Sequence, residues 1–331
     1  MRIGIVGAGS MGQAHAAGWS ETGADIVGVV SNDRSSAEAL ARTYDARVLP
    51  DFSALVAEVD VVDLCVPTDL HRDMTVEAAR AGKHVVCEKP MALSIEDGRS
   101  MIEACEESGV RLFVAHVLRF FPQYRAAADA VNAGRVGDLG VMRLKRVSYP
   151  PQGTERSWFA DEARSGGMIF DLMIHDFDYA RWLAGDVERV FAKSVRSGRP
   201  GAASDYALVT LRFESGAMAL IEGGWAYPPG VFRTGFDLAG AEGLIEWSSD
   251  DTEPIRSYLE AAPGSVADVA LPLTVLAEDP YTTEIKHVHR CLDTGEPFAV
   301  TPDDALEAVR LCLAARASLS RGRPVAIAEV V

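Results

Sequence analysis

Apolar and polar positions follow different patterns in the two halves of the chain. Through about residue 121, short β-branched runs alternate with stretches of helical period, which predicts a parallel sheet covered by helices on both faces. The predicted strands are Ile3–Val6, Ile26–Val30, Val61–Val66, His84–Cys87 and Leu112–Ala115. The predicted helices between them are Met11–Thr22, Ser35–Tyr44, His71–Ala81 and Ile95–Ser108.

Beyond Pro122 the strands become longer and most of their connections become short, which predicts a second domain with a largely antiparallel sheet. The predicted strands are Gly140–Tyr149, Val187–Ser197, Tyr206–Phe213, Ala217–Trp225, Thr234–Ala239 and Gly243–Trp247. Residues 248–278 are predicted to be irregular, and two helices, Thr282–Thr294 and Pro302–Arg321, close the chain. We therefore expect domains at 1–121 and 122–331, with the final helix able to pack back on the first domain.

Composition narrows the classes of function. The 331 residues carry a formal charge of −16, which disfavours nucleic acid or an anionic membrane as the main partner because phosphate would be repelled. Five cysteines without a C-x-x-C pair predict reduced thiols, neither a disulfide framework nor a metal site, and a cytoplasmic location. The first predicted strand starts at Ile3, so we expect no signal peptide, and no apolar run reaches membrane-spanning length.

The glycine-rich stretch after the first strand matches G-x-G-x-x-G and consists of Gly7, Ala8, Gly9, Ser10, Met11 and Gly12. Such turns also occur where no ligand binds, but here a strand leads in and an amphipathic helix leads out. In this setting Gly7 permits the tight turn, Gly9 lets backbone N–H groups approach a pyrophosphate, and Gly12 lets the helix pack on the strand. The motif predicts a dinucleotide site at a helix N-terminus.

Cofactor choice is expected to depend on the residues after the second strand, Ser31-Asn32-Asp33-Arg34. An acid at the first position would accept hydrogen bonds from a ribose 2′-OH, whereas an arginine accommodates a 2′-phosphate. Ser31 and Arg34 tolerate a phosphate and Asp33 opposes one. The pattern favours NADP slightly over NAD and leaves both open.

Two further segments carry candidate chemistry. Lys89 follows the strand His84–Cys87 at the sheet edge where ligands bind in open α/β sheets, and Pro90 biases it to an extended backbone. In the second half, Asp171, His175 and Asp178 fall at i, i+4 and i+7 of an otherwise apolar helix. A solvated loop lysine and a structural Asp–His network remain the alternatives to an active site.

Together these motifs resemble the glucose–fructose oxidoreductase/inositol dehydrogenase/MocA family. The resemblance rests on G-x-G-x-x-G, Glu88-Lys89-Pro90 and G-G-x(3)-D-x(3)-H-x-x-D, and it extends to Val66-Pro67-Thr68-Asp69-Leu70-His71 and to His116–Phe120. It implies an N-terminal Rossmann domain with a doubly wound parallel sheet and a C-terminal α+β domain with an open, mainly antiparallel sheet. It also implies NAD(P)-dependent hydride transfer and assembly into a homodimer or homotetramer.

The resemblance carries three catalytic roles onto Lys89, Asp171 and His175. The expected cofactor-binding residues are the following: Gly7, Ala8, Gly9, Ser10, Met11, Gly12, Ser31, Asn32, Arg34, Val66, Pro67, Thr68, His71, Glu88 and Lys89. Arg156, Trp158 and Tyr281 are weaker candidates for the substrate wall.

The favoured hypothesis is an NAD(P)-dependent dehydrogenase or reductase acting on a secondary alcohol or ketone of a polyol, sugar or related small molecule. Two alternatives stay open: a glycoside hydrolase assisted by transient oxidation, and a regulatory protein that binds nucleotide without turnover. The complete Lys, Asp and His set disfavours the second alternative.

Overall fold

The computed structural model describes residues 1–151, 158–196, 205–250 and 278–330. The chain forms two compact units. The first comprises Met1–Phe121 and Val275–Leu306, and the second comprises Pro122–Thr274 and Glu307–Val331. The segment that returns to the first unit is therefore the penultimate helix and the first turn of the last one, whereas most of the last helix belongs to the second unit.

The first unit contains a six-stranded, all-parallel sheet in the order β3-β2-β1-β4-β5-β6. Its strands are β1 (Arg2–Val6), β2 (Asp25–Val30), β3 (Arg47–Val48), β4 (Val61–Leu64), β5 (His84–Glu88) and β6 (Leu112–Ala115). This is the strand order of dinucleotide-binding sheets, and the predicted doubly wound fold is confirmed. The two-residue β3 was not predicted, because two residues are too short for a periodic signal.

Among the described residues, the α-helices that lie wholly in the first unit are α1 (Ser10–Ser20), α2 (Arg34–Thr43), α3 (Phe52–Glu58), α4 (His71–Arg80), α5 (Ile95–Glu107) and α9 (Pro280–Thr294). The Asp51 side chain caps the N-terminus of α3, a helix that the apolar pattern did not indicate. On α1, Gly18 lies against Ile285 of α9, since a Cβ at Gly18 would sit 2.8 Å from the Ile285 Cβ. This close approach explains why α9 belongs to the first unit.

The second unit contains a seven-stranded mixed sheet in the order β12-β11-β7-β10-β9-β8-β13. Its strands are β7 (Leu139–Ser148), β8 (Val187–Val195), β9 (Tyr206–Phe213), β10 (Met218–Gly224), β11 (Phe232–Gly240), β12 (Leu244–Ser248) and β13 (Val325–Ala326). All neighbouring pairs are antiparallel except β7 and β10. The predicted mainly antiparallel sheet is confirmed, and the irregular segment predicted at 248–278 lies mostly outside the described residues.

The remaining helices are α6 (Pro122–Asn132), α7 (Glu162–Ser165), α8 (Ile174–Ala184) and α10 (Pro302–Arg321). A π-helical turn, Ile169–Met173, leads directly into α8. This turn packs on β10, where the absence of a side chain at Gly223 makes room for Met173. Within the described ranges, no helix combines the length and apolar character that a membrane crossing requires.

Candidate functional site

The glycine-rich stretch forms the turn between β1 and α1. Gly7 has a φ of 99°, and a Cβ there would lie 2.1 Å from the Cys65 carbonyl oxygen. A Cβ at Gly12 would lie 1.9 Å from the Gly7 carbonyl oxygen, so both positions require glycine. Gly9 differs, because no heavy atom lies within 4 Å of its Cβ position at the start of α1. Exposed backbone at a helix N-terminus suits a pyrophosphate, so this loop fits a dinucleotide.

The residues after β2 begin α2. Asp33 caps the helix, because its carboxylate accepts hydrogen bonds from the backbone N–H groups of Ser35 and Ser36. The hydroxyls of Ser36 and Ser35 also donate to it and lower the pKa of Asp33 to about 2. Arg34 is exposed and its Nε donates to Glu38 Oε1 at 2.8 Å. Ser31 is partly exposed and Asn32 is exposed, so both can be reached by a ligand.

The segment after β4 lies at the same carboxyl edge of the sheet. Val66 and Pro67 are partly exposed, whereas Thr68 is buried. His71 is buried, and its two ring nitrogens lie 2.9 Å from the carbonyl oxygens of Pro90 and Val66. His71 thereby connects the ends of β4 and β5. Its predicted contact with the cofactor stays a prediction.

Lys89 follows β5 directly and is partly exposed. Its backbone N–H donates to Glu88 Oε2 at 2.9 Å, and the Lys89–Pro90 peptide bond is cis. Glu88 is buried, unlike most glutamates, which are exposed. In the first unit, the topology therefore brings the glycine loop and the ends of β2, β4 and β5 to one sheet edge, as expected for an open α/β sheet.

Asp171 and His175 stand out in the second unit by their exposure. Of residues 168–180, only these two reach the surface, and the remainder of the segment is buried. Asp171 lies in the π-helical turn and His175 lies in the first turn of α8. π-Helical turns are rare and occur often at functional sites. Asp178, the third member of the predicted stripe, is buried.

Some residues of interest lie elsewhere or were not indicated by sequence. Arg156 lies outside the described residues, whereas Trp158 is partly exposed and stacks on Phe159. The Tyr281 ring contacts the Phe121 ring edge-on within the first unit.

Sequence reasoning missed a buried polar cluster formed by His15, Asp63, Glu88 and Glu284. Its one local signal is a histidine on the apolar face of α1, three residues after Gly12.

Part of this cluster has the spacing of a metal site, but the protonation of its groups does not suit metal binding. Ligand atoms of His15, Asp63 and Cys65 lie within 4.8 Å of one another. The His15–Asp63 separation of 2.9 Å is that of a hydrogen bond. Burial raises the pKa of Cys65 to about 12, whereas a metal needs the thiolate. We therefore describe this group as a hydrogen-bonded cluster.

Comparison with known proteins agrees with this geometry. Residues 1–116 match the family described as "Oxidoreductase family, NAD-binding Rossmann fold", and residues 124–246 match the GFO/IDH/MocA C-terminal domain. The chain is 31% identical to myo-inositol 2-dehydrogenase of Thermotoga maritima over 100% of both chains. It is 32% identical to 1,5-anhydro-D-fructose reductase of Ensifer adhaerens over 91% of each.

Among solved structures, a protein from gentamicin A biosynthesis in complex with NAD is similar to this chain, with a TM-score of 0.86. Their sequences are 25% identical, and the match covers 98% of this chain and 96% of the other. The matched families include residues of both units, so the similarity includes the glycine loop, the Lys89 segment and strands β7 to β11 of the second sheet.

Proposed function

Because the chain belongs to the GFO/IDH/MocA family of NAD-binding oxidoreductases, we propose that it transfers a hydride between nicotinamide and a secondary alcohol or ketone of a polyol or sugar. The observation that carries this proposal is the selective exposure of Asp171 and His175 on an otherwise buried segment. A buried polar stripe needs partners or a wet cavity, and a proton-transfer pair must be accessible to substrate. The related inositol dehydrogenase and anhydrofructose reductase support a polyhydroxylated substrate.

Three residues, His175, Lys89 and Asp171, have separate roles in the proposed reaction. When bound, the nicotinamide accepts or supplies the hydride of the carbinol carbon. In the oxidation direction His175 accepts the hydroxyl proton, since imidazole titrates near neutral pH. Lys89 donates a hydrogen bond to the reacting oxygen and stabilises the negative charge that develops there. Asp171 orients the substrate or the histidine.

The cofactor is held by the backbone of the Gly7–Gly12 loop and the N-terminus of α1. We infer that Ser31 and Arg34 contact the adenosine ribose and give NADP a modest advantage over NAD. The support is the side-chain arrangement after β2: Ser31 is small, Arg34 is exposed, and the Asp33 carboxylate is directed at its own helix N-terminus.

We also propose that the protein forms a homodimer or homotetramer through the open face of the second sheet. Four apolar side chains of its central strands are between 36% and 45% exposed: Val141, Leu208, Met218 and Leu220. Val141 and Met218 are register partners across β7 and β10, Leu220 follows Met218 on the same face of β10, and Leu208 lies diagonally across from Leu220 on β9. The four side chains therefore lie on one face of the sheet. Leu220→Lys should reduce the mass measured by light scattering, whereas Val48→Lys on the first sheet should not.

A cytoplasmic location completes the proposal and is supported by the cysteines. All five, Cys65, Cys87, Cys105, Cys291 and Cys312, are free thiols. Free buried thiols are typical of a reducing compartment.

The proposal is tested by incubating the purified protein with polyols and keto-sugars in the presence of NAD(H) or NADP(H). We expect a change in reduced-nicotinamide absorbance with at least one polyol or sugar, and its loss in a His175→Ala variant. Release of free sugar from a glycoside without net NADH formation would identify a hydrolase instead. Cofactor binding with neither product across the substrate panel would identify a nucleotide sensor.

A further inference from the structure

The buried polar cluster of the first unit joins elements that surround the cofactor loop. His15 and Trp19 come from α1, Asp63 from β4, Glu88 from the end of β5 and Glu284 from α9. The side chains of His15 and Asp63 are fully buried, as is the residue Glu284, and Glu88 is 6% exposed. Burying several ionisable groups is costly unless they pair with one another, so the arrangement calls for a function beyond packing.

Both ring nitrogens of His15 face carboxylates. Nδ1 lies 2.9 and 3.0 Å from the two oxygens of Asp63, and Nε2 lies 3.2 Å from Glu88 Oε1. Ionised carboxylates only accept hydrogen bonds, so both nitrogens must donate, which requires the imidazolium form. Burial opposes that charge, but the Asp63 carboxylate raises the pKa of His15 well above its ordinary value.

Glu88 connects His15 to the Lys89 segment through hydrogen bonds. Its Oε1 receives the His15 hydrogen bond and its Oε2 receives the Lys89 backbone N–H at 2.9 Å. Burial would raise the pKa of Glu88, yet His15 and Lys89 hold it below its usual value. With both oxygens engaged, the carboxylate has a fixed orientation, and so has the peptide from which the Lys89 side chain departs.

Among the described residues, three other groups face His15: Glu284, Cys65 and Trp19. None of them supplies a positive charge, so His15 is the cation of the cluster. Burial raises the pKa of Glu284 well above its usual range and that of Cys65 to about 12, which favours the neutral form of both groups. Trp19 Nε1 donates to Asp63 Oδ2 at 2.7 Å and contributes no charge. Without His15, the carboxylates of Asp63 and Glu88 would share a buried site with no cation between them.

We propose that His15 is a positioning residue that acts through Glu88 to fix Lys89 for the reaction. The proposal rests on the proposed function only in assigning Lys89 to the substrate. His15 does not touch substrate; its charge and its two hydrogen bonds keep Glu88 oriented, and Glu88 keeps the Lys89 backbone in place. Displacing a reacting group by about 1 Å costs roughly 100-fold in rate, which sets the scale of the expected effect.

The kinetic test compares His15→Gln, Glu88→Gln and the double variant, with rates normalised to NAD(P)H-binding sites. We expect each single change to lower kcat by about 10- to 100-fold, while the cofactor Kd of His15→Gln stays near the parental value. The double variant should have a kcat equal to that of the slower single variant, because both changes break the same chain of hydrogen bonds from His15 through Glu88 to Lys89. Normalised kcat equal to the parent, or fully additive losses, would overturn the proposal.

A second measurement works on the unmodified protein and does not need a substrate. In protein labelled with ¹⁵N-histidine, the His15 resonances, identified by their loss in His15→Gln, should be those of an imidazolium from pH 6 to pH 8. A neutral tautomer at pH 8 would overturn the proposal even if the dehydrogenase activity is found. If His15→Gln fails to fold, the kinetics of Glu88→Gln decide the matter, and a normalised kcat equal to that of the parent would overturn the proposal.

Discussion

Arg146 and Asp176 form a buried ion pair with two hydrogen bonds: Arg146 Nε donates to Asp176 Oδ2 at 2.7 Å and Nη2 donates to Oδ1 at 3.2 Å. The pair joins β7, which carries Arg146, to α8, where Asp176 directly follows His175. Both side chains are almost completely excluded from solvent. The ion pair therefore anchors the helix that carries the proposed base.

Removing the cation of this pair should destabilise the protein severely. We expect Arg146→Met to lower the free energy of unfolding by about 3–5 kcal/mol, because Asp176 would remain as a buried charge without its partner. Urea denaturation of the variant and its parent measures the effect. The matched control is Arg143→Met on the same strand, where an exposed arginine lies 3.6 Å from Asp237. That change should cost less than about 1 kcal/mol, and similar losses for both would contradict the anchoring role.

Two glycines of the loop, Gly9 and Gly12, should respond differently to substitution. Gly9→Val should retain the fold, since the Cβ position is open and the backbone is extended, but should weaken NAD(P)H by at least about tenfold (1.4 kcal/mol). Gly12→Ala should unfold more readily, because its Cβ would collide with the Gly7 carbonyl. Fluorescence titration and thermal unfolding separate the effects. Unchanged NAD(P)H affinity in Gly9→Val would refute the cofactor site.

Cofactor preference should depend on Arg34. If its guanidinium binds a 2′-phosphate, Arg34→Ala removes a charge-assisted hydrogen bond of about 1.5–3 kcal/mol and weakens NADPH by roughly 10- to 150-fold. NADH affinity should change little. Arg42→Ala, in the last turn of the same helix, is the control for general surface charge. Equal effects of Arg34→Ala on both cofactors would show that this arginine only pairs with Glu38.

Lys89 should be required for chemistry more than for cofactor binding. Lys89→Met keeps most of the side-chain length and removes the donor, so kcat should fall by about 10²–10³. Lys89→Arg should not restore the rate, because a planar guanidinium does not replace a compact ammonium. His175→Ala should be similarly slow, with a residual rate that rises with pH as hydroxide removes the proton. The two losses should combine less than additively if both side chains act on one oxygen.

The control for Lys89 is Lys193→Met, which removes an exposed lysine from β8 and should leave kcat unchanged. A Lys89→Met enzyme with a kcat close to that of the parent would mean that the lysine is structural.

Glu284 should make the stability of the first unit depend on pH. Burial raises the pKa of Glu284 well above 4.5, and neither carboxyl oxygen has a hydrogen-bond partner among the described residues. In the unfolded chain the Glu284 carboxyl loses its proton above a pKa of about 4.5, whereas in the folded chain its raised pKa retains the proton to higher pH. The free energy of unfolding therefore falls as the pH rises from about 4.5.

Glu284→Gln keeps the shape and removes the ionisation. We expect the variant to be more stable than the parent at pH 8, with a gain that grows by up to about 1.4 kcal/mol per pH unit above the unfolded pKa. Denaturation at pH 5 and pH 8 measures the difference. The exposed Glu103→Gln should show no such growth. A Glu284→Gln gain that is equal at both pH values would show that the folded carboxyl is already ionised.

Some of these features follow from the sequence because their causes are local. The alternation of β-branched runs with helical periods and the spacing of Gly7, Gly9 and Gly12 require only neighbouring residues, and both predicted the first sheet and its loop correctly. The apolar run around Asp171 and His175 likewise predicted a buried helix with a polar stripe. Asp178, the third residue of that stripe, is buried, and the π turn before α8, where Met173 packs against Gly223, was not predicted from the sequence.

Other features depend on residues that are far apart in the chain. His15 meets Asp63 and Glu88 at sequence separations of 48 and 73, so the one local signal, a histidine on the apolar face of α1, does not identify its partners. The return of α9 to the first unit likewise depends on the fit between Gly18 and Ile285. Hydrophobic period and turn chemistry thus determined which segments are strands and helices, because these depend on backbone preferences. The partners of buried charges were decided only by tertiary structure, since a buried charge is stable only where a distant segment supplies its counter-ion.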